Sequence, residues 1–138
     1  MKIVLVEPGK EARAAEIFGS LESMQQLVGG LIQALYPWKD PVALVCNDEG
    51  KILGLPFNRM MEDYDLIAGS FFICGIQGEN FASLTDQQVK TYLEKFRRPQ
   101  MICRTPAGLV VKSCSEQEYA ALHQRSQEPV PPAKNPER

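Results

Sequence analysis

The stretch from Asp65 to Ile76 (DLIAGSFFICGI) limits most strongly what this chain can fold into, because it is apolar nearly throughout. A strand with one face in water alternates apolar and polar residues, whereas a strand covered on both faces reads as an uninterrupted apolar run. We therefore predict a central strand of a layered domain. Gly69 interrupts the run, and we predict a bend there.

The chain has 138 residues, of which 44% are hydrophobic and 23% are charged, and its formal net charge is −2. This length predicts one domain with the composition of an ordinary globular protein. A protein that binds a nucleic-acid backbone usually has a clearly basic face, so we do not expect a nucleic-acid partner. The apolar run at the N-terminus is too short for a signal peptide, and no segment approaches the roughly 20 apolar residues of a membrane span. We therefore predict a cytoplasmic protein with no membrane partner.

The first half of the chain begins with a predicted strand at Lys2–Val6. The next segment, Glu11–Phe18, fits either a helix or a short paired strand. A helix is then predicted from the N-cap Ser20 to Leu35, with apolar residues at helical spacing, and Pro37 stops it.

Two further helices are predicted by capping boxes, in which a hydroxyl side chain and an acid or amide three residues later bond each other's backbone. The pairs are Thr85 with Gln88 and Ser115 with Glu118. Between the two helices, the segment Thr105–Gly108 predicts the turn of a hairpin.

A hairpin is also predicted earlier in the chain. The apolar run Val42–Cys46 ends in the turn Asn47–Gly50, and Ile52 and Leu53 resume as a short strand. We expect Gly50 to supply a positive φ in this turn.

Together these patterns predict an α+β domain over residues 1–126, with a mostly antiparallel sheet and two main helices packed on it. Residues 127–138 are rich in proline and polar side chains, so we predict a flexible, disordered tail.

Two adjacent glycines, Gly29 and Gly30, fall inside the first predicted helix, where each costs about 1 kcal/mol relative to alanine. Either the helix packs closely on the sheet there, or a ligand or a partner subunit's backbone approaches it. Tyr36 and Trp38 follow at the predicted helix end, as aromatics at the edge of the core or as part of an interface. We expect these four residues to contribute to a homo-oligomer contact.

Asn58 and Arg59 follow the first predicted hairpin in what we predict to be a loop. An amide and a guanidinium together suit recognition of an anion or a polar ring, with the guanidinium donating in a fork. Arg59 could instead pair with the nearby Glu62 or Asp63. If it binds a ligand, truncation to alanine should weaken binding and leave folding nearly intact.

Asn80 and Phe81 lie in a second predicted loop, just before the helix capped by Thr85. The first backbone N–H groups of that helix would favour an anion nearby. Phe81 either stacks on a ligand ring or plugs the core beneath the loop. We predict that Asn58, Arg59, Asn80 and Phe81 form the ligand-binding residues.

No catalytic residue, cofactor or metal site is predicted. The only histidine, His123, falls in the terminal helix, where a surface position explains it, and no Walker or dinucleotide-type glycine loop is present. The acidic cluster Glu62, Asp63 and Asp65 fits a solvated loop, with a divalent-ion site as the alternative.

The cysteines show no C-x-x-C spacing and fall in apolar, strand-like contexts, which predicts buried free thiols, with disulfides or zinc binding as the alternatives. They are Cys46, Cys74, Cys103 and Cys114.

Several motifs stand in order between residues 2 and 97: EPGK at 7–10, GSLESMQQLVGG at 19–30, VALVCNDEGK at 42–51, GLPFNR at 54–59, IAGSFFICG at 67–75 and NFASLT at 80–85. With these motifs the chain resembles the bacterial, plasmid and phage proteins grouped as domain-of-unknown-function family 3846. The resemblance does not extend to the final forty or so residues, and it carries no functional residue with it.

The resemblance implies a phage or mobile-element protein in the cytoplasm of a bacterial host, where small accessory proteins often blunt host defence. We therefore expect a non-enzymatic homo-oligomer that sequesters a small nucleotide-derived defence signal, such as a cyclic dinucleotide or a cyclic ADP-ribose. One alternative is a protein–protein inhibitor of a restriction or CRISPR enzyme. A second alternative is a nucleotide-processing enzyme.

Overall fold

The computed structural model describes residues 1–61 and 66–126, the last four of them by their backbone alone. The predicted acidic cluster of Glu62, Asp63 and Asp65 and the predicted tail 127–138 lie outside these residues. The side chain of His123 also lies outside the description, although its backbone is helical.

The described residues form ten strands and three helices. The strands are β1 (Lys2–Val6), β2 (Arg13–Glu16), β3 (Ile32–Leu35), β4 (Val42–Asn47), β5 (Phe57–Met60), β6 (Leu66–Ala68), β7 (Phe71–Gln77), β8 (Asn80–Ala82), β9 (Gln100–Thr105) and β10 (Gly108–Ser113). The helices are α1 (Leu21–Val28), α2 (Asp86–Lys95) and α3 (Glu116–Ser126). None of these helices is long and apolar enough to cross a membrane.

Six strands form the main sheet, in the order β2-β1-β7-β4-β3, with β8 paired to the end of β7. Every pairing in it is antiparallel. Two smaller antiparallel sheets, β5 with β6 and β9 with β10, accompany it. The α+β class and the mostly antiparallel sheet are therefore confirmed.

The central strand β7 is covered on both faces, as the apolar run predicts. On one face α1 contributes Met24 and Val28 to a buried cluster that includes Phe72. On the other face α2 contributes Tyr92 to a second buried cluster, which also receives residues of the β5–β6 side of the molecule. We call these the α1 face and the α2 face of the main sheet. The chain bends at Gly69 as predicted, with φ +86°, but the bend divides the predicted strand. Only β7 belongs to the main sheet, whereas β6 pairs with β5 outside it.

The first helix is shorter than predicted, because α1 ends at Val28. Gly29 adopts the left-handed conformation with φ +80°, which favours glycine, and caps the helix. The N–H groups of Gly29 and Gly30 both donate to the Gln25 carbonyl, at 2.8 and 3.0 Å. The apolar residues beyond them, which continue the helical spacing in the sequence, belong to β3. The two glycines are therefore a helix stop, and the predicted helix over 29–35 is wrong.

The predicted hairpin after Val42–Cys46 is also wrong. Ile52 and Leu53 lie in consecutive turns, and β5 pairs with β6 instead of returning along β4. The positive φ falls at Gly54, with +74°, and not at Gly50. Gly50 is needed for close packing, because a Cβ placed there would lie 2.5 Å from the Ala68 carbonyl oxygen.

The capping boxes and the C-terminal hairpin are confirmed. Thr85 and Gln88 exchange hydrogen bonds of 3.1 and 2.9 Å at the start of α2. Ser115 and Glu118 do the same before α3 at 2.8 and 3.0 Å. The strands β9 and β10 pair with Thr105 opposite Gly108, as the turn residues predict.

The terminal helix α3 packs on the segment that links β1 and β2. A Cβ built on Gly9 would overlap the ring of Tyr119, which therefore lies directly on the glycine. The backbone N–H of Glu11 donates to the Glu116 carboxylate at 2.7 Å. The C-terminal part of the chain is thus in contact with its first strands.

We predict that Gly50→Ala lowers the free energy of unfolding by about 1–3 kcal/mol, because its new methyl group meets a backbone oxygen that cannot rotate away. Urea denaturation followed by circular dichroism would measure it. Gly19→Ala is the matched control, since no atom lies within 4 Å of its added Cβ and its φ is not in the left-handed region. Equal stability of the two variants would show that Gly50 and the Ala68 carbonyl of β6 are not in close contact.

Candidate functional site

Asn58 and Arg59 lie on β5, not in a loop, and their side chains are 0% and 1% exposed. Consecutive strand residues normally point to opposite faces. The pairing of β5 with β6 shifts register between Phe57 and Arg59, and such a bulge re-aims side chains. Both polar residues are consequently buried, and the prediction of an exposed loop pair is wrong.

Asn58 joins three parts of the structure through its side-chain amide. Its Nδ2 donates to the carbonyls of Val6 and Gly69, each at 2.9 Å. Its Oδ1 accepts from Nη1 of Arg59 at 2.8 Å. These bonds tie β5 to the end of β1 and to the bend before β7.

Arg59 continues this network through its two terminal nitrogens. Its Nη2 donates to the carbonyls of Lys10 at 2.7 Å and Phe96 at 3.0 Å, and Nη1 also donates to the Asn58 carbonyl at 3.3 Å. Burial lowers the pKa of Arg59 to about 10, so the group is still charged at neutral pH. The expectation that truncation of Arg59 leaves folding intact is therefore wrong, because these buried carbonyls would lose their donors.

Asn80 and Phe81 lie on β8, which forms a hairpin with β7, so the predicted loop over 77–83 is also corrected. Phe81 is half-buried against the α1 face, and Asn80 is exposed. Arg59 bonds the end of α2, on the opposite face of the sheet. The structure thus does not bring the four predicted ligand residues together, and a ligand role for each of them stays a prediction.

The four predicted interface residues have different surroundings. Gly29 and Gly30 terminate α1, and Tyr36 is exposed. Trp38 packs into the protein's own core, with its ring centroid 4.9 Å from that of Tyr92. A core position explains Trp38 without a partner subunit, while the homo-oligomer itself stays a prediction.

A cleft of about 340 Å³ opens between the β3–β4 pair, the turns that follow β4, and the β5–β6 side of the molecule. Its buried lining is mainly apolar and includes Met61, Leu66 and Ile67, with Asn47 as a buried polar residue. Its exposed polar lining comes from Gln33, Asp48, Glu49 and Lys51. Sequence reasoning missed this site, because no single motif contains its residues.

Cys46 also lines the cleft, and its thiol is poorly nucleophilic there at neutral pH. Burial, together with the nearby charge of Asp48, raises the pKa of its thiol to about 11. The thiolate is the nucleophilic form, so almost none is present at neutral pH. Burial likewise raises the pKa of Cys74, to about 12. Three of the four free cysteines are buried as predicted, whereas Cys103 is exposed.

A second, smaller cavity of about 170 Å³ lies where β5 meets the end of α2. Three basic residues line it, namely Arg59, Lys95 and Arg98. Met61 lines both cavities, so the apolar cleft and the basic cavity are neighbours. Within the described ranges, no group of three or more residues has the arrangement of a metal site.

The comparison with protein families gives one match. The model described as "Domain of unknown function (DUF3846)" matches residues 1–97. The match contains β1 to α2 and therefore all of the described cleft lining, and it ends just before Arg98. No curated protein and no solved structure matches the chain.

We predict that Asn58→Ala lowers the free energy of unfolding by about 2–5 kcal/mol, because two buried carbonyls and one guanidinium N–H lose their partner. Asn80→Ala should change it by less than about 0.5 kcal/mol, since that side chain is exposed. Urea denaturation of the two variants compares them directly. A small effect at Asn58 would contradict the buried network.

We also predict that alkylation of Cys46 by iodoacetamide accelerates about tenfold per pH unit from about pH 8 to about pH 10, because its raised pKa keeps the thiolate fraction rising over this range. Peptide-resolved mass spectrometry measures the rate, with the exposed Cys103 as the internal control for reagent activity. A plateau for Cys46 below about pH 9 would indicate an ordinary thiol in an open site.

Proposed function

The chain belongs to the DUF3846 family, and we propose that it is a non-enzymatic binding protein that sequesters a small nucleotide-derived molecule. The observation that carries this proposal is the cleft of about 340 Å³, with apolar buried walls and a few polar groups at its exposed side. Small-molecule sites typically combine these properties, and this volume is at the lower end of their range.

The chemistry of the cleft suits a nucleobase. Apolar side chains such as Met61 and Ile67 offer surfaces for the faces of a planar ring. The amide of Gln33 can both donate and accept, and the carboxylates of Asp48 and Glu49 can accept hydrogen bonds from an amino group of the base. The same two carboxylates repel phosphate and outnumber Lys51, the one basic residue of the described lining, so we expect the anionic part of a nucleotide to extend out of this cleft. Its volume favours one nucleoside unit over two.

Binding without reaction is favoured by the groups that line the cleft. Cys46 is the cysteine among them, and its raised pKa leaves it protonated. The remaining polar side chains of the described lining supply hydrogen bonds without an activated nucleophile; they are Gln33, Asn47, Asp48, Glu49 and Lys51. In the mobile-element setting that the family resemblance suggests, the proposed role of such a protein is to withdraw a nucleotide signal of host defence from solution.

We predict that adenosine monophosphate binds with a measurable heat by isothermal titration calorimetry and is recovered chemically intact after heat denaturation of the complex. Cyclic dinucleotides and cyclic ADP-ribose are titrated in parallel. Gln33→Trp should weaken binding by more than about tenfold, because the indole fills the cleft from its exposed strand.

Gln77→Trp is the matched control for this experiment, since Gln77 is also an exposed strand glutamine and does not line the cleft. Its affinity should stay within about twofold of the parent chain, a difference well below 1 kcal/mol. Equal binding by both variants would remove the cleft as the site. Cleaved product in excess of the protein would favour the nucleotide-processing alternative.

A protein–protein inhibitor is the second candidate, favoured by an apolar tip beside the cleft. Ile52, which lines the cleft, is 83% exposed, and its neighbour Leu53 is 56% exposed. Exposed apolar residues that adjoin one another mark contact sites more often than isolated ones do. Leu53→Ser distinguishes the two candidates, because Leu53 does not line the cleft. This variant should abolish capture of a defence enzyme while leaving the heat of nucleotide binding nearly unchanged.

A further inference from the structure

One residue that lines the basic cavity beside α2 carries a hydrogen-bond donor that the fold does not use. Arg59 lines this cavity and is 1% exposed. Both of its terminal nitrogens are engaged with protein oxygens, in four hydrogen bonds. Its Nε–H has no hydrogen-bond partner among the described residues. A buried donor of a charged group is seldom left without an acceptor, so this one is suited to an anionic ligand.

Capping of α2 explains only part of this arrangement. Cations near a helix C-terminus are favourable, and Nη2 of Arg59 does bond the carbonyl of Phe96 there. Lys95 belongs to the last turn of α2, and its ammonium also lies over the Trp38 ring, 5.7 Å from the centroid. Capping accounts neither for the unused Nε–H nor for Arg98, which lies beyond the helix end and also lines the cavity.

The charge of the cavity favours an anion. Its described lining contains Arg59, Lys95 and Arg98 and no acidic side chain. Gln100 adds a side-chain amide to the lining. The amide oxygen accepts from the Met60 N–H at 2.7 Å, and this bond fixes the orientation of the amide NH₂ group. The cavity volume of about 170 Å³ suits a small anion.

The carboxylate of Glu118 interacts electrostatically with Arg98, which lines this cavity. The pKa of Glu118 is lowered, first by its hydrogen bonds with Ser115 and then by the positive charges of Arg98 and Lys112. Glu118 forms no ion pair with Arg98 within the described part of the chain. Among the described residues that line the cavity, the charged groups an anion meets are therefore the cations Arg59, Lys95 and Arg98.

We propose that this cavity is a phosphate-binding subsite, in which Arg98 and the Nε–H of Arg59 donate to the phosphate oxygens. Guanidinium groups are well suited to phosphate because they combine charge with directed donors. Met61 lines both cavities, so a nucleotide can place its base in the apolar cleft and its phosphate here. Only this assignment to a nucleotide rests on the proposed function, because the subsite binds inorganic phosphate by itself.

The test is a titration of the full ¹⁵N-labelled chain with inorganic phosphate, followed by the Arg Nε–H signals in NMR spectra at constant ionic strength. We expect a saturable shift of the Arg59 Nε–H signal that matched sodium chloride does not produce. Arg98→Gln should weaken the apparent affinity by about tenfold or more, as expected for a lost hydrogen bond to a charged group.

Arg97→Gln is the matched control, since Arg97 is the neighbouring exposed arginine, contacts Glu94 at 4.0 Å and does not line the cavity. Its phosphate affinity should stay within about twofold of the parent chain. Both substituted side chains are exposed, so both variants should keep the circular dichroism spectrum and melting temperature of the parent chain.

Two results would contradict the proposed subsite. One is a non-saturable shift of the Arg59 Nε–H signal equal to that in chloride, and the other is an equal loss of phosphate affinity in the Arg97 and Arg98 variants. Adenosine and adenosine monophosphate are then compared on the same chain. Saturable phosphate binding with no response to adenosine supports the subsite while removing the nucleotide proposal. Tighter binding of the monophosphate than of adenosine, lost in Arg98→Gln, supports both.

Discussion

The buried pair of Asn58 and Arg59 is the constraint on which the rest of this structure depends. Removing a guanidinium from water is costly unless its donors meet acceptors, and here the carbonyls of Lys10 and Phe96 and the amide oxygen of Asn58 accept them. Those acceptors belong to the β1–β2 link, the end of α2 and β5 itself. The pair therefore fixes β5 over the α2 face of the main sheet, and β5 can occupy no other position without leaving several buried polar groups unpaired.

This placement of β5 creates two neighbouring cavities of different chemistry. The cleft between the β5–β6 side and the β3–β4 pair has apolar walls, a protonated thiol at Cys46 and carboxylates at its exposed side. The cavity on the other side of Met61 is basic. A ligand with an apolar ring and an anionic group matches this separation, whereas an activated nucleophile is absent from the described lining of either cavity.

Features that depend on nearby residues could be predicted from the sequence. The capping boxes of α2 and α3 involve residues three apart, and their hydrogen bonds form as the pattern indicates. The hairpin of β9 and β10 follows from its turn residues. The apolar run over 65–76 indicates burial on both faces and a bend at Gly69. By contrast, the apolar spacing after Gly29 is equally compatible with helix and strand. The left-handed conformation of Gly29 ends the helix, and the strand β3 follows.

The sequence by itself determined the fold class, the two capping boxes, the turn between β9 and β10, and the arginine at position 59 beside Asn58, because each is encoded by side chains close together in the chain. Only the tertiary structure decided where that arginine lies. A bulge of one residue in β5 directs both Asn58 and Arg59 inward, and no local pattern specifies such a register shift. The cleft was likewise decided by tertiary structure, since its lining comes from strands and turns that are distant in sequence and meet only when β5 is fixed on the sheet.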